Sequence, residues 1–155
     1  MTDAKPGLTL DNHYDAPPEF VYSWLTDFHD DDGTRYFGMT SPGKITRNGD
    51  SVQLEGAMRR GTTKMTVTLS PPDHWSAEGG FFTNSGRQVA RTKIVESIRA
   101  DGAGTAHHAE FYLAPNGFMA MLMFLIGGGK MRRDMRSSFD RLKADLDSEY
   151  RSVQQ

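Results

Sequence analysis

An α+β fold is predicted for this chain of 155 residues: an antiparallel meander between a short N-terminal helical region and one long C-terminal helix. Two observations predict it. Residues 45–69 carry two turn signals flanked by alternating apolar residues, the pattern of consecutive hairpins. Helical periodicity brackets that region. Phe20, Val21, Trp24, Leu25 and Phe28 share one face, as do Met131, Met135, Phe139, Leu142, Leu146 and Tyr150.

The elements follow in order. Residues 7–14 form a strand with Leu8 and Leu10 on one face. Asp15 stands as N-cap of the first helix, and Pro17-Pro18 suits a first turn whose N–H groups lack helical partners. That helix ends within 27–32 with Gly33 as its stop, and Tyr36 and Phe37 fall in a short second helix or turn. Asn48-Gly49 suits a type I′ hairpin, setting Arg47 opposite Asp50 and Ile45 opposite Val52. Gly61-Thr62 suits a type II′ turn, setting Met58 opposite Met65, Gly56 opposite Val67 and Leu54 opposite Leu69. Strands at 75–83, 88–99 and 105–113 complete the meander. A four-residue loop at 100–103 pairs Arg99 with Gly104. After Pro115-Asn116-Gly117 comes the apolar run 118–126, and Gly127-Gly128-Gly129 reads as a flexible joint ahead of the long helix. The chain end from Ser152 frays.

Length, the lack of any linker and the lack of repeats predict one domain over residues 1–155. Lys plus Arg is 18 against 20 Asp plus Glu, a formal charge of -2, which excludes a nucleic-acid binder built on a basic surface. Without cysteine there are no disulfides, thiolate zinc sites or cysteine nucleophiles. Residues 1–15 are polar and lack the apolar core of a signal peptide. The run 118–126 is shorter than the ~18–20 residues a spanning helix needs. A soluble, cytoplasmic protein is expected.

Most chemical motifs fail. In the glycine-rich stretch before Lys130, Phe124 stands where a phosphate loop needs its first glycine and Met131 where it needs Ser or Thr. Counting a calcium loop from Gly33 puts Phe28 at the first ligand position and Met39 at the last, so Asp27 to Asp32 read as a solvated acidic loop. There is no Gly-x-Ser-x-Gly elbow and no His-Glu-x-x-His pair. His107 and His108 are adjacent on a strand and point to opposite faces, so they cannot share one metal. No metal and no cofactor is expected.

One constellation survives. Strand parity puts Glu96 with Ile94 and Ile98, and His107 with Ala109, Phe111 and Leu113, on inward faces. The predicted register places Glu96 opposite His107, while a slip of one residue would bring it to His108. A carboxylate beside an imidazole can be a structural pair, or can orient a polar ligand group or move a proton. Basic Lys130, Arg132, Arg133 and Arg136 crowd the start of the predicted final helix, against its dipole. Together with 118–126 they suit an amphipathic ligand, an anionic membrane surface, a second subunit, or an inert cap.

The stretch Asp15-Ala16-Pro17-Pro18-Glu19-Phe20-Val21, closing at Asp27, resembles the START-like superfamily of polyketide cyclase/dehydrase-type and pollen-allergen-like proteins. Gly104-Thr105 entering the last strand and Arg141-Leu142-Lys143 in the final helix are similar to it as well. The resemblance implies a helix-grip fold, a seven-stranded curved antiparallel sheet wrapped around the C-terminal helix, with a cavity between them. Such a cavity would be lined by Met58, Met65, Val67, Trp75, Ile94, Glu96, His107, Phe111, Met131, Met135 and Phe139, under a lid of Phe118, Met121, Leu122 and Leu125. Methionine suits an irregular or changing content, and equally a plain core. Three functions follow as expectations. The first is binding or transport of a small hydrophobic ligand such as a lipid, isoprenoid, quinone or polyketide-like compound. The second is a cyclase/dehydrase with Glu96 and His107 as acid and base. The third is a protein-interaction module using the surface at 118–126.

Overall fold

The structure, a computed structural model, describes residues 5–155; residues 1–4 of the polar N-terminal stretch lie outside it. Strand β1 (Leu8–Tyr14) leads into helices α1 (Pro18–Thr26) and α2 (Asp32–Tyr36). Six strands follow: β2 (Lys44–Asn48), β3 (Ser51–Met58), β4 (Gly61–Ser70), β5 (His74–Phe82), β6 (Gln88–Asp101) and β7 (Gly104–Pro115). Helix α3 (Phe118–Val153) spans 36 residues. The strands form one seven-stranded antiparallel sheet in the order β1-β7-β6-β5-β4-β3-β2, so the meander is closed at one edge by the first strand pairing with the last.

Inward residues define the core. Tyr14, Ala16, Val21, Val52, Val67, Trp75, Ile98 and Leu146 form one buried cluster, and Leu10, Ala109 and Phe139 a second. Helix α3 packs chiefly on β1 and also touches β7, α1 and α2. Polar ties fix it there. The Asn12 amide donates to the Phe139 carbonyl (2.9 Å), and the Asp15 backbone N–H donates to the Asp147 carboxylate (3.0 Å). Near the C-terminal end, Tyr36 donates to Asp145 (2.6 Å) and the Trp24 indole to Glu149 (2.7 Å).

Several expectations are corrected. Asp15 does not cap α1; Pro17 holds the N-cap position without a side-chain bond, because Asp15 faces α3 instead. Gly33 lies inside α2 rather than ending a helix. The three hairpins turn at Gly49-Asp50, Arg59-Arg60 and Gly102-Ala103, pairing Ile45 with Leu54, Leu54 with Met65, and Ile98 with His107. Each observed register differs from the predicted one by a step that leaves every side chain on its expected face, so the apolar pattern could not separate them. Gly61 opens β4 rather than a turn. A Cβ there would fall 1.9 Å from the Phe82 carbonyl oxygen, and its φ of +117° suits glycine alone.

The glycine joint is absent as well. Gly127, Gly128 and Gly129 are helical, and the run 118–126 forms the first turns of the same α3. Lys130, Arg132, Arg133 and Arg136 therefore sit well inside the helix. The dipole acts within the first and last turns, so it does not oppose them.

Candidate functional site

On the inner face of the sheet, β7 presents His107, β6 Glu96, β5 Trp75 and β1 Tyr14. The His107 side chain is 0% exposed, whereas that of Glu96 is 19% exposed. Aromatic rings surround the imidazole, with centroids at 4.9 Å for Phe139, 5.6 Å for Trp75 and 5.8 Å for Tyr14. Both ring nitrogens have polar partners. Nε2 lies 2.8 Å from Glu96 Oε2 and Nδ1 3.1 Å from the Tyr14 hydroxyl.

The register pairs Glu96 with Ala109 and Ile98 with His107, so the carboxylate reaches the imidazole diagonally rather than directly across the pair. The contact inferred from parity is present on a register two residues removed. With a neutral ring the donors run one way: the Tyr14 hydroxyl to Nδ1, and Nε2–H to the Glu96 carboxylate. Burial pushes the Tyr14 phenol well above its usual pKa, so it remains a proton donor throughout the physiological range. Among the described residues, no protein donor reaches the second Glu96 oxygen. Glu96 is thus the outer end of a buried polar chain.

Around it the inner face is apolar and incompletely covered. Met65, Ile94, Phe111 and Leu113 are half-buried, as are Phe124, Met131 and Met135 on the inward stripe of α3. Gly128 lies on that stripe between Phe124 and Met131. A Cβ built there meets no heavy atom within 4 Å, so the position is open. Val67, Trp75 and Phe139 are core residues, and Met58 is half-buried near the start of the β3–β4 turn. Phe118, Met121, Leu122 and Leu125, the expected lid residues, lie on the opening turns of α3 and are 39–73% exposed. Sequence reasoning missed Tyr14, Leu113, Phe124 and Gly128. Tyr14 shares parity with Leu8 and Leu10, but only the β1–β7 pairing brings it to His107.

Elsewhere, a small recess under α2 between Phe28, His29, Asp32, Met39 and Ile45 has room for little more than a water molecule. The acidic loop beside it is internally bonded. The His29 ring contacts Asp27 at 2.9 Å, and the His29 backbone N–H donates to Asp32 at 2.8 Å. Partial burial holds both carboxyl groups above their ordinary pKa range.

No protein-family model matches the sequence, and no curated protein is similar to it. Solved structures are. TTHA0849 of Thermus thermophilus superposes with a TM-score of 0.69 at 12% identity, covering 92% of this chain and 97% of its own. The ZhuI aromatase/cyclase of Streptomyces sp. R1128 gives 0.67 at 11% identity, covering 94% and 96%. Ara h 8.0201, a Bet v 1-like allergen, gives 0.55 at 10% identity, covering 91% and 97%. This chain has the helix-grip fold. At these identities the likeness is one of fold. Within the sheet, the Tyr14–His107–Glu96 chain stands on the concave face that α3 grips.

Proposed function

We propose that the protein binds a small apolar or amphipathic molecule between the inner sheet face and α3, with Glu96 receiving its polar end. The observation that carries this reading is the buried chain from Tyr14 to Glu96 emerging beside an incompletely covered apolar face. A carboxylate oxygen with a free acceptor site selects a hydroxyl or ammonium donor, while Ile94, Phe111 and Met65 accept hydrocarbon. The open position at Gly128 leaves this part of the inward stripe without side-chain bulk.

Native mass spectrometry of the freshly purified protein, followed by uptake from a panel of fatty acids, isoprenoid quinones and aromatic polyketides, tests this. Wild type is expected to retain or take up one class, and Gly128→Leu, which adds bulk on the inward stripe of α3, to weaken uptake at least tenfold. A clean mass with no uptake, or uptake unchanged in Gly128→Leu, overturns the reading.

A cyclase/dehydrase reading is favoured by the 2.8 Å Glu96–His107 contact and by the fold shared with an aromatase/cyclase. In it Glu96 meets the substrate and carries the proton exchanged with it, while His107, sealed behind Glu96, holds the carboxylate in place through Nε2–H. Glu96→Gln separates the two readings: an enzyme loses turnover of a polyketide substrate, while a carrier turns over nothing and only loosens its hold on the ligand.

A further inference from the structure

The opening turns of α3 expose apolar side chains that nothing in the fold covers. Phe118 is 71% exposed, Leu125 73% and Ile126 81%, with Met119, Leu122 and Met123 beside them. At 3.6 residues per turn, Phe118, Met119, Leu122 and Ile126 lie opposite the inward stripe of Phe124, Gly128, Met131 and Met135. The next turns of that outward side carry Arg133 and Arg136, flanked by Lys130 and Arg132, all exposed. The helix surface is thus apolar first and basic immediately after.

The sheet extends this polarity. The Asn116 backbone N–H donates to the Val89 carbonyl (2.8 Å), setting the start of α3 beside the β5–β6 turn with its exposed Arg87. Gly61 abuts the Phe82 carbonyl, which brings the exposed Arg59-Arg60 turn to the same end. The turns at the opposite end carry Asp50, Asp73 and Asp101. Among the described residues, one carboxylate pairs with these cations: Asp134, 2.5 Å from Lys130. A chain of formal charge -2 therefore presents a locally cationic end around an exposed apolar patch.

We propose that this end docks on an anionic lipid surface, with the outward side chains of the first α3 turns entering the headgroup–acyl boundary. The arginines behind them then meet lipid phosphates. A basic rim around apolar side chains is the complement of such a surface. A twofold contact between copies through this patch would instead face cations with cations. The run 118–126 covers about 12 Å of helix axis, and its outward side chains enter the interface from a helix lying along it. No helix among the described residues is long and apolar enough to cross a membrane, so α3 rests on the bilayer rather than spanning it.

The test is sedimentation with vesicles of phosphatidylcholine, with and without phosphatidylserine. Wild type is expected to bind the anionic vesicles at least ~tenfold more tightly, and removal of one basic charge in Arg133→Gln to weaken that binding roughly fivefold. Leu125→Glu/Ile126→Glu, on fully accessible positions, is expected to abolish binding while the circular dichroism spectrum is retained. Equal binding to both vesicle types overturns the proposal, as does no binding to either. So does a solution dimer that the double variant converts to monomer. The docking does not rest on the ligand reading, and native mass spectrometry tests that one separately.

Discussion

Replacing His107 by alanine removes the centre of the Tyr14–His107–Glu96 chain and exposes how much of the fold depends on it. The loss has separable parts. The imidazole leaves a void between Trp75, Tyr14 and Phe139, whose ring centroids lie within 5.8 Å of its own. The Tyr14 hydroxyl, on a residue 0% exposed, loses its partner, and an orphaned buried hydroxyl costs about 1–3 kcal/mol. Glu96, being partly exposed, recovers hydration and contributes less. With the packing loss added, His107→Ala is expected to destabilise by about 3–5 kcal/mol. Chemical denaturation measures this. The stricter test is a double-mutant cycle between Tyr14→Phe and Glu96→Gln, whose side chains meet only through the imidazole. A coupling of roughly 0.5–3 kcal/mol is expected. Additive effects, or a His107→Ala loss below about 1 kcal/mol, would refute the connected chain.

Two further predictions concern stability. Gly127→Ala, Gly128→Ala and Gly129→Ala place methyl groups where no atom lies within 4 Å and remove about 0.5–1 kcal/mol of helix penalty each. The triple variant should melt roughly 3–12 °C higher, at about 2–4 °C per kcal/mol; an unchanged or lower Tm would show that these residues are not helical in the folded protein. On the outer sheet face, the hydrogen bond that His108 Nδ1 donates to the Asp11 carboxylate, 2.7 Å away, holds the His108 imidazole above its ordinary pKa. A raised folded-state pKa stabilises fully below the unfolded value near ~6.5 and loses that contribution as pH climbs through the folded one. Because His108 is 44% exposed, solvent screening keeps the effect below about 1 kcal/mol. Asp11→Asn should lower the His108 titration midpoint in an NMR experiment; an unmoved midpoint would remove Asp11 as the cause.

Fold class was legible because it rests on local signals. The spacing from Met131 to Tyr150 and the hairpin glycines each act over a few residues. Registers were not fully legible. Apolar alternation distinguishes even from odd pairings, and nothing in it separates one even pairing from the next. The Glu96–His107 contact was found because parity alone was enough: the side chains share a face and reach each other diagonally. Tyr14 was missed because its contact with His107 crosses 93 positions and depends on which strand closes the sheet. The continuity of α3 through Gly127-Gly128-Gly129 was hidden for a different reason. Three glycines oppose helix locally, and the helical residues on either side outweigh them only once the sheet positions Gly117 and anchors Phe139.

The pairing of β1 with β7 also sets the order in which the molecule assembles. Strands β2 to β7 join neighbours through short turns, so most of the sheet forms with little loop-closure entropy. Strand β1 must wait for a partner made from the far part of the chain, and α3 docks mainly on that late strand. Until β1 arrives, Glu96 and His107 already sit on adjacent strands, but the Tyr14 wall and the α3 roof are missing. The inner face is thus born open and closes from one edge, its floor forming before its roof.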